Sequence, residues 1–163
     1  MLDQRLVSVT VVFEDPCDPH NVSAVLRTSE ALGIQDVHLV ERAARVRPDQ
    51  NIALGAERWI SVFHHDRLAA CLGALQARGF EVWGADVAPG ARPLDEISCE
   101  RPVALLIGSE RVGLSRTARL HVDQRFFVPM PGFTGSLNVS VAAAISLHHV
   151  TRNRRTIGPA RPA

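Results

Sequence analysis

Apolar and polar positions along the 163-residue chain follow two rhythms. Short, mostly apolar runs alternate with longer stretches in which apolar residues recur every three or four positions. The first rhythm predicts strands buried on both faces, the second amphipathic helices. "VSVTVVF" (7–13) predicts a buried strand, and "DVHLV" (36–40) a second. Between them "NVSAVLRTSEALG" (21–33) brings Val22, Val25, Leu26 and Leu32 near helical spacing. Asp18 is available there as a cap and Gly33 as a stop. Residues 42–57 are polar, contain Gly and Pro, and predict a long loop. "WISVF" (59–63) fits a strand, and "DRLAACLGALQARG" (66–79) a helix with Asp66 as N-cap and Gly79 just past its end. "FEVWGADV" (80–87), "PVALLIG" (102–108) and "QRFFVPM" (124–130) complete the strands. A short helix is expected from Ser115, and a last one from Ser136 to Arg152.

This β-α-β-α order predicts an α/β fold, a mostly parallel sheet flanked by helices. The length fits one domain, residues 1–163, with 1–6 and 156–163 as flexible ends. The last helix poses a question. "GSLNVSVAAAISL" is apolar nearly all round, as a buried helix is, yet it opens on Ser136 and Asn138.

Composition narrows the picture little. About half the residues are apolar (46%) and a fifth are charged (21%), which is ordinary for a globular domain. No apolar window approaches a membrane span, and "MLDQRLVSVT" carries no secretory pattern. Three cysteines, Cys17, Cys71 and Cys99, form no C-x-x-C pair, which argues against a disulfide framework and for a reducing, cytoplasmic setting. The net charge is only +1, so no global nucleic-acid signal exists. The cationic side chains are all arginine, concentrated at 42–47, 111–125 and 152–155. Any phosphate contact therefore falls to a planar guanidinium.

In a parallel sheet, ligands bind at the carboxyl ends of the strands. Three polar stretches come after strand ends: "DPCDPHNVSAVLRT", "IGSERVGLS" and "PMPGFTGSLNVS". "GSERVG" is not a dinucleotide fingerprint, the P-loop lysine is absent, and no G-x-S-x-G occurs. His64-His65 and His148-His149 are adjacent in sequence, so each pair splits between faces and makes a poor metal pair.

Taken together and in order, these stretches resemble the three motifs of the SpoU/TrmH branch of the SPOUT RNA methyltransferases. "NVSAVLRTSEALG", "LLIGSERVGLS" and "VPMPGFTGSLNVSVAAAISL" are similar to its first, second and third motifs. "PHNVSAVLRT" is closer to the tRNA enzymes that methylate the 2′-hydroxyl of the D-loop guanosine (Gm18). The resemblance implies a single methyltransferase domain whose C-terminal segment is threaded into a deep trefoil knot. It also implies S-adenosylmethionine as cofactor, RNA (tRNA foremost) as partner, a homodimer, and neither membrane nor metal. The tRNA enzymes carry a helical extension before the first strand and a longer tail. Only a few residues precede the first strand here, which keeps open an rRNA or other tRNA site, or a weakly catalytic RNA-binding protein of the same fold.

The resemblance also assigns roles. Arg27 is central to the transfer, with Asn21, Glu110, Ser136 and Asn138 around it. A guanidinium stays protonated, so Arg27 fits a clamp on phosphate and ribose better than a base. Ala85, Gly108, Val128, Met130 and Leu137 would meet the cofactor, mostly through main chain. Ser136 and Asn138 then open the last helix because its free N–H groups face the site. Read alone, Ser136 is an N-cap. A small-molecule α/β binding domain is the remaining alternative.

Overall fold

The computed structural model of the chain describes residues 5–42 and 45–157. Seven parallel strands form one sheet: β1 (Val9–Glu14), β2 (Asp36–Val40), β3 (Ser61–His65), β4 (Glu81–Ala85), β5 (Arg92–Pro93), β6 (Val103–Ile107) and β7 (Gln124–Phe127). Their spatial order is β3-β2-β1-β6-β4-β7-β5. β1 and β6 occupy the middle and are buried at every position, which is why they read as mostly apolar runs, with Thr10 and Glu14 the polar residues of β1. The helices are α1 (Pro19–Ala31), α2 (Gln50–Ala53), α3 (Leu68–Ala77), α4 (Arg116–His121) and α5 (Val139–Ile157); α2 lies against α1, and the other four cover the sheet. The core has two halves. Val9, Val11 and Phe13 of β1 meet Val22, Leu26, Ala143 and Leu147 of α1 and α5. Val12 of β1 meets Leu68, Leu72, Leu75 and Ala118 of α3 and α4 on the opposite face.

The helix boundaries reflect local chemistry. Asp18 caps α1 as expected, accepting from the His20 amide at 2.9 Å. Ser115 caps α4, accepting from the Ala118 amide at 3.0 Å. Asp66 does not cap α3. That helix starts one residue later, with Arg67 at the cap position and no capping side chain. Gly79 does come just past the end of α3, following the Arg78 cap, at φ +87°, a conformation glycine adopts without strain. α5 begins at Val139 rather than Ser136. Asn138 is the residue that caps it, its Oδ1 accepting from the Ser140 amide at 2.8 Å. α5 also runs past Arg152 to Ile157. Its last turns are held by Arg154, 1% exposed, which donates to the Ser8 hydroxyl and the Glu100 carbonyl. Arg155 adds a bond to the Leu32 carbonyl at 2.7 Å.

Two further differences have simple causes. The expected loop over 42–57 contains α2 and a 3-10 turn (Ala56–Arg58), too short to show periodicity. Asp49 caps α2 while its own amide donates to the Ser23 hydroxyl of α1 at 2.7 Å. β5 has two residues and no apolar run to announce it. Residues 43–44 of the expected loop lie outside the described residues, as do 1–4 and 158–163 of the expected flexible ends. At the inner limits of those ends, the Leu6 amide bonds the Gly33 carbonyl at 2.8 Å, and α5 includes Thr156 and Ile157.

Candidate active site

The carboxyl ends of β6, β4 and β7 lie side by side. The segments leaving these three ends build one cleft of about 590 Å³. Nine of the ten expected site residues line it: Asn21, Ala85, Gly108, Glu110, Val128, Met130, Ser136, Leu137 and Asn138. The tenth, Arg27, does not. It is exposed on the outer face of α1, and its guanidinium has no partner among the described residues.

The loop after β6 makes the cleft wall by folding back on itself. Ser109 and Gly113 exchange backbone hydrogen bonds at 3.1 and 2.8 Å. A Cβ on Gly108 would sit 2.2 Å from the Gly113 carbonyl carbon, so only glycine permits this turn. At the other end of the loop, buried Glu14 of β1 accepts from the Ser115 amide at 3.0 Å, fixing the start of α4.

Glu110, carried on that loop, ties the three polar stretches together. Its carboxylate accepts from the backbone amides of Cys17 (2.9 Å) and Asp18 (3.3 Å) and from the Asn21 side-chain amide (3.2 Å). Asn21 Oδ1 in turn accepts from Asn138 Nδ2 at 3.2 Å. Asn138 Oδ1 accepts from the backbone and hydroxyl of Ser140. A carboxylate only accepts, so Asn21 must present its NH2 to Glu110 and its oxygen to Asn138, which must then donate. One carboxylate thereby sets the polarity of both amides. Asn21 and Asn138 stand 117 residues apart in sequence. Ser136 lies at the cleft rim, exposed, and its hydroxyl has no partner among the described residues.

A charged cluster on the opposite rim was not anticipated from the sequence. Asp86, just after β4, accepts from Arg119 Nε at 2.8 Å and from Arg125 at 3.2 Å. Burial alone would raise the Asp86 carboxyl. The hydrogen bonds from Arg119, the Ala88 amide and Arg125 outweigh it and hold the carboxyl below the usual carboxylate range. Asp86 and Arg119 both line the cleft. An acidic residue ending the strand-like run "FEVWGAD" was the available signal, and its partners lie 33 and 39 positions away.

The histidine pairs split between faces, as adjacency dictates. His64 bonds Glu41 at 2.6 Å, whereas His65 meets His38 of the neighbouring strand at 2.9 Å. Cys71 of α3 joins His38 and His65, with their ligand atoms all within 4.8 Å. This cluster lines no part of the cleft.

Comparison with known proteins shows which family the chain belongs to. The SpoU rRNA Methylase family matches residues 8–148. The chain belongs to the SpoU family of RNA methyltransferases. The tRNA (guanosine(18)-2′-O)-methyltransferase of Escherichia coli strain K12 is 35% identical over 158 residues, 97% of this chain and 69% of that protein. Its counterpart in Thermus thermophilus is also 35% identical, over 97% of this chain and 81% of the relative. The crystal structure of the A. aeolicus TrmH/SpoU tRNA modifying enzyme superposes with a TM-score of 0.90 at 26% identity, covering 95% of this chain and 79% of that one. The SpoU methyltransferase AviRb from Streptomyces viridochromogenes, solved in complex with AdoMet, gives 0.82 at 26% identity over 94% and 62%. The SpoU fold thus accounts for the parallel sheet and its flanking helices, and the cleft lies where its three sequence motifs converge.

Proposed function

We propose that this SpoU-family enzyme transfers the methyl group of S-adenosylmethionine to a ribose 2′-hydroxyl, that of the tRNA D-loop guanosine. The observation that carries this reading is the Glu110–Asn21–Asn138 chain, which joins all three motifs at one cleft. The names of the 35% identical relatives support the guanosine target.

The cleft suits the cofactor. Among the described residues, the backbone groups of 129–137 form no hydrogen bonds with other backbone groups. They are free to meet the polar edge of an adenine and the amino-acid end. Ile107, Val128, Met130 and Leu137 supply an apolar surface for the ring. Ala85 and Gly108 complete the cofactor set through main chain. When bound, S-adenosylmethionine supplies an electrophilic methyl group on a sulfonium. The protein has to place the 2′-oxygen and favour its loss of a proton. Asn21, fixed at both ends, and Asn138 orient the ribose, and Ser136 adds a hydroxyl at the rim. Glu110 holds the pair in register. Arg27, exposed and unpartnered, grips the RNA phosphate and brings the ribose to the cleft, stabilising developing alkoxide rather than acting as base. Holding the reactants in line supplies much of the rate.

In this reading the segment after β6 is threaded as the family's trefoil knot, with 129–137 as one wall of the cofactor site. Two chains pair through α5, and the enzyme works in the cytoplasm. Among the described residues no helix is long and apolar enough to cross a membrane.

The test is tritium transfer from labelled S-adenosylmethionine to tRNA and rRNA from a methylase-deficient strain, followed by nucleoside mapping. Label in D-loop 2′-O-methylguanosine is expected. Label confined to rRNA or another tRNA position keeps the chemistry and moves the target. Cofactor binding without transfer to any RNA would point instead to an RNA-binding protein of this fold.

A further inference from the structure

We propose that Arg119 is a cofactor-specificity residue that takes the carboxylate of the S-adenosylmethionine amino-acid end. This inference rests on the cofactor reading above.

Among the described residues, three ionisable side chains line the cleft, and Arg119 is the one cation among them. The other two are Glu110 and Asp86. Glu110 is occupied by Asn21 and two backbone amides. Asp86 is occupied by Arg119, Arg125 and the Ala88 amide. One carboxylate facing two guanidinium groups leaves a surplus positive charge on this rim. Arg125 turns a second nitrogen to the Pro89 carbonyl at 3.0 Å and does not line the cleft. The surplus is therefore presented by Arg119.

Arg119 is also pre-set. Nε and one terminal nitrogen engage the two oxygens of Asp86, at 2.8 and 3.4 Å. The Asp86 side chain is only 6% exposed, so this anchor is fixed from below. Arg119 itself is 44% exposed, and its remaining terminal nitrogen makes no bond among the described residues. A guanidinium so held loses little side-chain freedom when it takes a second anion. The cofactor carries one anionic group, the carboxylate, and an arginine pairs with that geometry in two-point fashion. An RNA phosphate is the competing anion, and the experiment separates the two.

The test is isothermal titration of the full chain with S-adenosylmethionine and with its decarboxylated form, which differ only in the carboxylate. Wild type should bind the intact cofactor about tenfold or more tightly than the decarboxylated one. Arg119→Gln should erase that preference while leaving affinity for the decarboxylated form within a few-fold. Asp86→Asn, which frees Arg119 from its anchor, should weaken the preference partway. The wild-type comparison needs no variant, so a misfolded mutant cannot hide the answer. Equal wild-type affinity for both forms overturns the inference. So does an Arg119→Gln protein that keeps the preference, including one that only binds RNA less tightly, which would give Arg119 to phosphate. Failure of wild type to bind either form would strike the cofactor reading itself.

Discussion

At the scale of single residues, the site separates side chains that face the cleft from one that faces outward. Arg27 has no partner among the described residues and lies outside the cleft, so removing it should leave the cofactor site intact. Arg27→Ala is expected to lower methyl transfer by about a hundredfold or more, roughly the value of one transition-state donor. Cofactor affinity should stay within a few-fold. Single-turnover kinetics alongside titration reads both, and near-wild-type turnover would take Arg27 out of the mechanism. Gly108 behaves in the opposite way. Its bare Cα is needed by its own loop, since an added Cβ would press on Gly113 at 2.2 Å. Gly108→Ala should destabilise the protein by about 1–3 kcal/mol, as other overpacking does. It should also weaken cofactor binding by distorting the Glu110 turn. Denaturant midpoints and titration check the two effects, and an unchanged affinity would mean that this turn is not a wall of the cofactor site.

At the scale of elements, β2, β3 and α3 share a buried imidazole pair. Burial lowers the pKa of His38 to about 4, helped by its neighbours His65 and Arg78. His65 is shifted the same way. His38 Nε2 is buried without a hydrogen-bond partner among the described residues, so this face of the sheet holds its imidazole neutral. Between about pH 6.5 and 4 the unfolded chain binds a proton at His38 that the folded chain refuses. Stability from this group is complete above about pH 6.5 and lost as pH falls toward 4. Wild type should lose up to about 3 kcal/mol more than His38→Leu across that window. Urea unfolding of both proteins at about pH 7 and pH 4.5 measures it, and parallel losses would remove His38 as the cause.

At the scale of the whole molecule, α5 carries a surface that a single chain leaves uncovered. Val141 is 46% exposed and Ile145 40%, with exposed His148 beyond them on the same helical face. A second copy seated there would bury this stripe and double the arginine surface offered to RNA, which a net charge of +1 makes useful. Light scattering at micromolar concentration should therefore give the mass of two chains. Ile145→Asp should shift it to one, while a monomeric wild type would dismiss the pairing.

Local pattern by itself determined most of the elements here. The mostly apolar runs of β1, β2 and β6, the Asp18 and Ser115 caps and the glycine after α3 are decided by neighbours in sequence, and their order dictates a parallel α/β sheet. The three polar stretches after strand ends were equally legible, since a parallel sheet gathers such ends on one edge. Tertiary structure decided what they do to one another. Glu110 setting the polarity of Asn21 and Asn138, Asp86 gathering two arginines, and His65 meeting His38 instead of His64 all join residues from separate strands and loops. It also moved the start of α5 to Val139, behind the Asn138 cap, and carried its end to Ile157, with buried Arg154 bonding Ser8 and Glu100, which precede β1 and β6. Hydrogen bonds of this reach depend on where the sheet places its strand ends, and periodicity carries no record of that.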